Sequence, residues 1–109
     1  MNLNEFWEKT KVIHVYNGYE FRQTTPRIYC KDGFNLSVQV GENIYCAPKR
    51  NHGPYRECEV GYPSADPELI AEYAQDPAYL TNTVYPYVPV ELVEQLIELH
   101  GGIKEEASE

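Results

Sequence analysis

The stretch Phe34-Asn35-Leu36-Ser37-Val38-Gln39-Val40 decides the fold class of this chain. Its apolar and polar side chains alternate without interruption. Successive side chains of a β-strand point to opposite faces, so this alternation predicts a strand with one buried and one solvated face. Because antiparallel sheets commonly have one solvated face, we expect the strand to belong to an antiparallel sheet.

Shorter strand signals lie on both sides of this stretch. Asn17-Gly18 separates the apolar runs 12–16 and 19–23, and Asn-Gly between such runs is a strong predictor of a β-hairpin. Residues 27–30 are expected to pair with residues 34–40 through a short turn. Similar patterns predict further extended segments over residues 43–47, 55–62 and 83–88.

Helix-start signals mark two other segments. Asn4 is the predicted N-cap of a short helix that ends near Thr10. Asp66, followed by Pro67 at the first helical position, predicts a helix through about Gln75. The residues that this second helix is expected to bury are Leu69, Ile70, Tyr73 and Ala74.

The strongest helix signal begins at Pro89. Its apolar stripe is predicted to be Val90, Val93, Leu96 and Ile97, and its polar stripe Glu91, Glu94, Gln95 and Glu98. His100-Gly101-Gly102 should end the helix, since His suits the last turn and Gly readily adopts the left-handed cap conformation.

These signals together predict one α+β domain over residues 1–103. It should contain a short N-terminal helix and an antiparallel β-sheet of 3–5 strands. The helices over residues 67–75 and 89–100 should cover one face of that sheet. Residues 104–109 are expected to form a frayed polar tail.

Charge is divided unevenly along the chain. Residues 1–60 contain eight Lys or Arg and seven Asp or Glu, whereas residues 61–109 contain only Lys104 against ten Asp or Glu. The two parts therefore carry net charges of +1 and −9, which sum to the −8 of the whole chain. An acidic surface repels phosphate backbones and attracts basic proteins, so we do not expect direct nucleic-acid binding.

Several functional classes are not expected. No run of 18 apolar residues occurs and the first 11 residues lack a continuous apolar segment, so neither a membrane span nor a signal peptide is predicted. Cys30, Cys46 and Cys58 lack zinc-ligand spacing, which favours buried, reduced thiols in a cytoplasmic protein without a metal. No nucleotide-binding, hydrolase or zinc-protease motif occurs, and we expect neither a cofactor nor enzymatic activity.

Two groups of residues are candidate binding surfaces. An acidic surface on the predicted C-terminal helices would bind a basic protein or imitate the phosphates of a nucleic acid, and its residues are Asp66, Glu68, Glu72, Glu91, Glu94 and Glu98. A basic loop would bind phosphates and stack a Tyr ring on a base, and its residues are Tyr45, Lys49, Arg50, His52, Tyr55 and Arg56. Charged residues on a helix face or in a loop more often serve only to keep that surface solvated than to bind a partner.

Several strings in the sequence together resemble small hypothetical proteins of bacteriophages and prophages. They are Cys30-Lys-Asp-Gly-Phe-Asn-Leu-Ser-Val-Gln39, Tyr45-Cys-Ala-Pro-Lys-Arg50, Gly53-Pro-Tyr55, Glu59-Val-Gly-Tyr-Pro-Ser64, Thr83-Val-Tyr-Pro-Tyr-Val-Pro89 and His100-Gly-Gly-Ile103. The resemblance covers about residues 28–103, and residues 12–26 look like an insertion. It implies no catalytic residue. It implies a setting in which small acidic proteins disarm a host defence, as anti-CRISPR proteins do, or sequester a nucleotide signal.

Three hypotheses follow from the sequence. The first is a phage-type, non-enzymatic protein of the host cytoplasm that inhibits a bacterial defence factor, such as a CRISPR effector, through its acidic surface. The second is a sponge that sequesters a nucleotide immune signal in the basic loop. The third is a phage structural or housekeeping protein without an inhibitory role. Tyr-rich strands with an unpaired sheet edge also predict a possible homodimer.

Overall fold

The computed structural model describes residues 2–105, and they form the predicted α+β fold. A two-stranded and a four-stranded antiparallel sheet are accompanied by an N-terminal and a C-terminal helix. The elements in chain order are α1 (Leu3–Lys9), β1 (Ile13–Tyr16), β2 (Tyr19–Arg22), β3 (Ile28–Tyr29), β4 (Asn35–Gln39), β5 (Glu57–Gly61), a 3-10 helix (Glu68–Tyr73), β6 (Val84–Pro89) and α2 (Val90–Leu99).

The four-stranded sheet has the order β3-β4-β5-β6. Val38 of β4 lies opposite Val60 of β5, and Cys58 lies opposite Val88 of β6. All of these side chains are fully buried, whereas the alternate residue Gln39 is half-buried. The period of two in the sequence therefore predicts correctly which face of β4 and β5 forms the core.

Helix α1 contributes more to the core than its length suggests. Trp7 is 1% exposed, and its indole N–H donates to the backbone carbonyl of Val38 at 3.1 Å. The predicted N-cap at Asn4 is wrong, because Asn2 caps this helix in a reciprocal capping box with Glu5. The Asn4 side chain instead donates to the backbone carbonyl of Tyr55 and accepts from its N–H, which joins α1 to the segment before β5.

The strand predicted over residues 43–47 is wrong. Ile44 and Cys46 do turn toward the core, but their backbone N–H groups donate locally, to Gly41 and Ile44. Only Ala47 forms a β-bridge, to Glu57. Local turn bonds satisfy the N–H groups of Ile44 and Cys46, so this alternating pattern does not require a β-ladder.

The helix predicted over residues 67–75 is a shorter 3-10 helix, Glu68–Tyr73. Pro67 stands at its N-cap position and no side chain caps it, so the predicted cap at Asp66 is wrong. Ile70 is completely buried, whereas Leu69 is 38% exposed and not buried as expected. Short segments without capping often adopt this tighter helix.

The chain passes directly from β6 into α2. Pro86 predicts an edge strand because it has no backbone N–H, and β6 is indeed the edge of the sheet. Helix α2 buries the predicted apolar stripe and ends at Leu99, with His100 as its C-cap. The His100 ring stacks on Phe34 and lies 2.7 Å from a carboxylate oxygen of Asp32, which fixes the end of α2 on the β3–β4 turn.

Only the beginning of the predicted tail, residues 104–109, lies within the described residues. The N–H of Lys104 donates to the backbone carbonyl of Tyr29. The first residue of the tail therefore lies along the edge of β3 and covers it. Residues 106–109 lie outside the described residues. None of the helices within residues 2–105 combines the length and the apolar character that crossing a membrane requires.

Candidate functional site

The acidic helical face consists of Glu68, Glu72, Glu91 and Glu98, all of them exposed. The 3-10 helix and α2 pack against each other, and Leu69 of the first lies beside Glu98 of the second. In α2, the four buried residues occupy one stripe, and Glu91 and Glu98 lie on the opposite side. Asp66 is also exposed and precedes the 3-10 helix.

Two exposed leucines lie within the acidic helical face. Leu99 is 72% exposed and Leu69 is 38% exposed. They line a groove of about 360 Å³ together with Gln95 and Glu98. An apolar centre with a polar rim is the usual anatomy of a protein-binding surface. We name this feature the leucine groove.

Sequence reasoning missed the leucine groove for two different reasons. An α-helix over residues 67–75 predicts a buried Leu69, whereas in the 3-10 helix Leu69 is exposed. The exposure of Leu99 could have been predicted, since its position falls outside the buried stripe of α2.

Glu94 has a structural role rather than a place on the exposed acidic face. Its carboxylate accepts the backbone N–H of Leu3 at 2.9 Å. Leu3 begins α1, so the negative charge of Glu94 lies at the positive end of that helix. The contact joins the two α-helices and leaves Glu94 half-buried.

A second cluster forms where the loop after β4 reaches β6. The backbone carbonyl of Tyr45 accepts the N–H of Tyr87 at 3.1 Å, and their ring centroids are 5.8 Å apart. The ammonium of Lys49 lies 5.4 Å from the Tyr45 ring centroid. Tyr87 has a φ of 53° in an irregular part of β6, a left-handed conformation that is strained for an aromatic residue. We name Tyr45, Lys49 and Tyr87 the tyrosine cluster.

Glu59 belongs to the same region of the molecule. It projects from the solvated face of β5, opposite Gln39, and is half-buried. Burial raises the pKa of its carboxyl, and the positive charge of Lys49 lowers that pKa by a smaller amount. A half-buried carboxyl with a raised pKa near a lysine is a candidate polar site.

The structure separates the six residues of the predicted basic-loop site. Tyr45 and Lys49 come together, but Tyr55 is 5% exposed and donates its hydroxyl to the backbone carbonyl of Arg50. His52 lies 2.9 Å from the carboxylate of Glu20 on β2, away from the tyrosine cluster. Arg56 is exposed, and its side chain forms no hydrogen bond or ion pair with another residue among residues 2–105.

The three cysteine thiols are buried, as the sequence predicts for Cys30, Cys46 and Cys58. Burial raises the pKa of Cys30 to about 11 and raises the pKa of the other two thiols as well. A thiol with a raised pKa is a weak nucleophile at neutral pH. Within residues 2–105, no three His, Cys, Asp or Glu side chains are placed to hold a metal ion together.

Comparison of the chain with protein-family models, curated proteins and solved structures finds no match. The functional inference therefore depends on the residues of two surfaces. They are the acidic helical face with its leucine groove, and the tyrosine cluster.

Proposed function

We propose that this protein is a non-enzymatic binding protein whose acidic helical face engages a basic partner protein. The leucine groove is the observation that carries this proposal, because it combines two exposed leucines with the polar side chains of Gln95 and Glu98. Acidic residues that only keep a helix soluble need no exposed leucines among them. Apolar burial at the centre would supply affinity, and the glutamates would supply steering and specificity.

The charge of the chain defines the chemistry of the partner. Residues 61–109 carry a net charge of −9, so a surface rich in Arg or Lys is the complementary one. The glutamates of α2 and of the 3-10 helix would take the place of nucleic-acid phosphates on such a surface. The protein itself would not bind nucleic acid.

The resemblance of residues 28–103 to phage and prophage proteins favours a bacterial defence protein as the partner. Effectors of bacterial defence, CRISPR effectors among them, bind nucleic acid in positively charged channels. We propose that the protein occupies such a channel in the host cytoplasm and thereby inhibits the effector. The identity of the partner rests on the resemblance alone, whereas the basic character of the partner rests on the acidic helical face.

The tyrosine cluster supports a second candidate, the nucleotide sponge. Tyr45 and Tyr87 offer ring faces for a base, and Lys49 offers a charge for a phosphate. The neighbouring carboxyl of Glu59 and the separation of Arg50 and His52 from the cluster weaken this candidate, because phosphate sites usually gather several donors.

A charge-matched pair of variants tests the first candidate. The acidic-face variant carries Glu91→Lys and Glu98→Lys, and the control carries Glu8→Lys and Glu42→Lys at exposed positions elsewhere. Each double substitution changes the net charge from −8 to −4. Each variant is used to capture partners from host lysate and to rescue phage plating on hosts with a defence system.

The proposal predicts that the acidic-face variant loses the partner and the plating rescue, while the control retains both. Affinity should fall at least about tenfold, since central interface residues commonly contribute more than 1 kcal/mol. A variant Leu99→Ser should weaken binding without any change in charge. Equal behaviour of the two charge variants would contradict the assigned surface. Wild type that never rescues plating would favour a structural or housekeeping protein, and a nucleotide that binds tighter than about 1 mM in calorimetry would favour the sponge.

A further inference from the structure

The β1–β2 hairpin forms a sheet of its own and is attached to the fold along one side. Asn17 and Gly18 at its turn have φ values of 54° and 76°, the pair of left-handed residues that a tight hairpin turn requires. Arg22 of β2 donates to the backbone carbonyls of Trp7 and Asn51, both at 2.8 Å. Asn51 in turn donates to the carbonyl of Glu20. The side of the hairpin formed by β2 is therefore in contact with the fold.

The register of the hairpin leaves the edge of β1 unpaired. Tyr16 lies opposite Tyr19 across the two-residue turn, and the N–H of Gln23 donates to the carbonyl of Val12. Hydrogen-bonded pairs alternate along an antiparallel ladder, so the backbone groups of Ile13 and Val15 point away from β2. Outside the β1–β2 ladder, no backbone–backbone hydrogen bond among residues 2–105 uses the N–H or carbonyl groups of those two residues.

The hairpin also exposes large apolar side chains. Val15 is 69% exposed, Tyr16 70%, Tyr19 63% and Phe21 43%. A two-stranded hairpin is marginally stable by itself in water, and strand edges of this kind pair readily with another chain.

Both edges of the four-stranded sheet are covered, in contrast to β1. The N–H of Lys104 donates to the carbonyl of Tyr29 beside β3. At the other edge, the carbonyl of Val84 accepts the N–H of Gln75, and Pro86 within β6 has no N–H to offer. These are common ways of preventing strands from pairing between molecules, and β1 has none of them.

We propose that the free edge of β1 is a homodimer interface, in which it pairs antiparallel with β1 of a second copy of this chain. Charge favours this occupant. Residues 11–23 contain Lys11 and Arg22 against Glu20, a net of +1, whereas the remainder of the chain carries −9. The hairpin is thus a nearly neutral region, through which two strongly acidic molecules can approach each other with little local repulsion.

The register also suits a two-fold symmetric pair. With the axis at His14, each Ile13 exchanges both backbone hydrogen bonds with Val15 of the second copy, so all outward groups of the strand are used. The two His14 residues then face each other as a pair without mutual backbone bonds, at a Cα separation of about 4.5 Å. The result is a continuous four-stranded antiparallel sheet across the dimer.

Sedimentation velocity of the full chain from about 10 μM to 1 mM tests this inference, since edge pairing of this size is expected to be weak. The mass should rise with concentration from 12.6 kDa toward twice that value. Val15→Pro removes an outward N–H and leaves the bonds to β2 intact, so it should weaken dimerisation at least about tenfold. Val15→Lys, which adds a charge at the edge, should act in the same direction. Tyr79→Ser, an exposed tyrosine outside the hairpin, is the matched control and should dimerise like wild type.

Amide hydrogen exchange supplies a second readout. The N–H groups of Ile13 and Val15 should become protected as the wild-type concentration rises, with no comparable change in Val15→Lys. A wild-type chain that stays at 12.6 kDa at about 1 mM would overturn the inference. So would a dimer that persists with undiminished affinity in both Val15 variants, because another surface would then be responsible.

Discussion

Truncation of Glu94 separates the structural glutamate of α2 from the binding glutamates. Glu94→Ala removes the acceptor of the Leu3 N–H, a contact of 2.9 Å at the start of α1. Hydrogen bonds to charged groups are worth about 1.5–3 kcal/mol, and a charge at a helix terminus about 0.3–1 kcal/mol. Glu94 is only half-buried, so we expect a loss near the lower end, about 2 kcal/mol of unfolding free energy.

Urea unfolding followed by circular dichroism measures this loss. With a slope of about 2 kcal/mol per M, the midpoint of Glu94→Ala should fall by about 1 M. Glu94→Gln keeps an uncharged acceptor and should lose about half as much. Glu98→Ala is the matched control one turn further along α2, and its unfolding free energy should stay within about 0.5 kcal/mol of wild type.

The partner-binding measurement should show the opposite ranking. Glu94→Gln should bind the basic partner nearly as well as wild type, whereas Glu98→Lys should bind more weakly. Equal midpoint shifts for Glu94→Ala and Glu98→Ala would refute the structural role of Glu94. Equal loss of binding for Glu94→Gln and Glu98→Lys would refute its separation from the acidic helical face.

Three further predictions concern ionisable groups. The backbone N–H of Phe34, and to a smaller extent His100, lower the carboxyl pKa of Asp32. Wild type should therefore lose stability relative to Asp32→Asn as the pH falls below the ordinary value of 3.8. Urea midpoints along a pH series measure this loss. Burial raises the pKa of Glu59, so its carboxyl favours folding below the ordinary value of 4.5 and disfavours it as the pH rises through the raised value. Glu59→Gln should therefore stabilise the protein more at pH 7 than at pH 4, and an equal effect at both would contradict this. Cys30, with a pKa of about 11, should resist alkylation at about pH 8 in the native protein and react in urea, and fast native labelling would contradict its burial.

The two binding surfaces differ in how far the sequence predicted them. Glu91 and Glu98 follow from the helical period of α2, and both are exposed as expected. The leucine groove does not follow, because the conformation of residues 68–73 depends on how Ile70 enters the core. The sequence predicts one site in the basic loop, but the order of residues in a loop does not define the path of its backbone. Tyr55 is buried in the core, whereas His52 contacts Glu20 on β2.

The sequence by itself determined the class of the fold and the main core faces. Alternation over residues 34–40 and a period near 3.6 over residues 90–97 are local properties, and burial follows them because each element has one apolar side. The Asn17-Gly18 turn is local in the same way, since it needs only left-handed residues.

Tertiary structure alone decided which polar groups remain available for binding. Glu94 and Glu98 are the same residue type on the same helix, yet one accepts the N–H of Leu3 and the other borders the leucine groove. Tyr45 and Tyr87 are far apart in sequence and meet because a loop crosses to β6. Contacts of this kind depend on the distances between elements, which residue patterns along a chain do not encode.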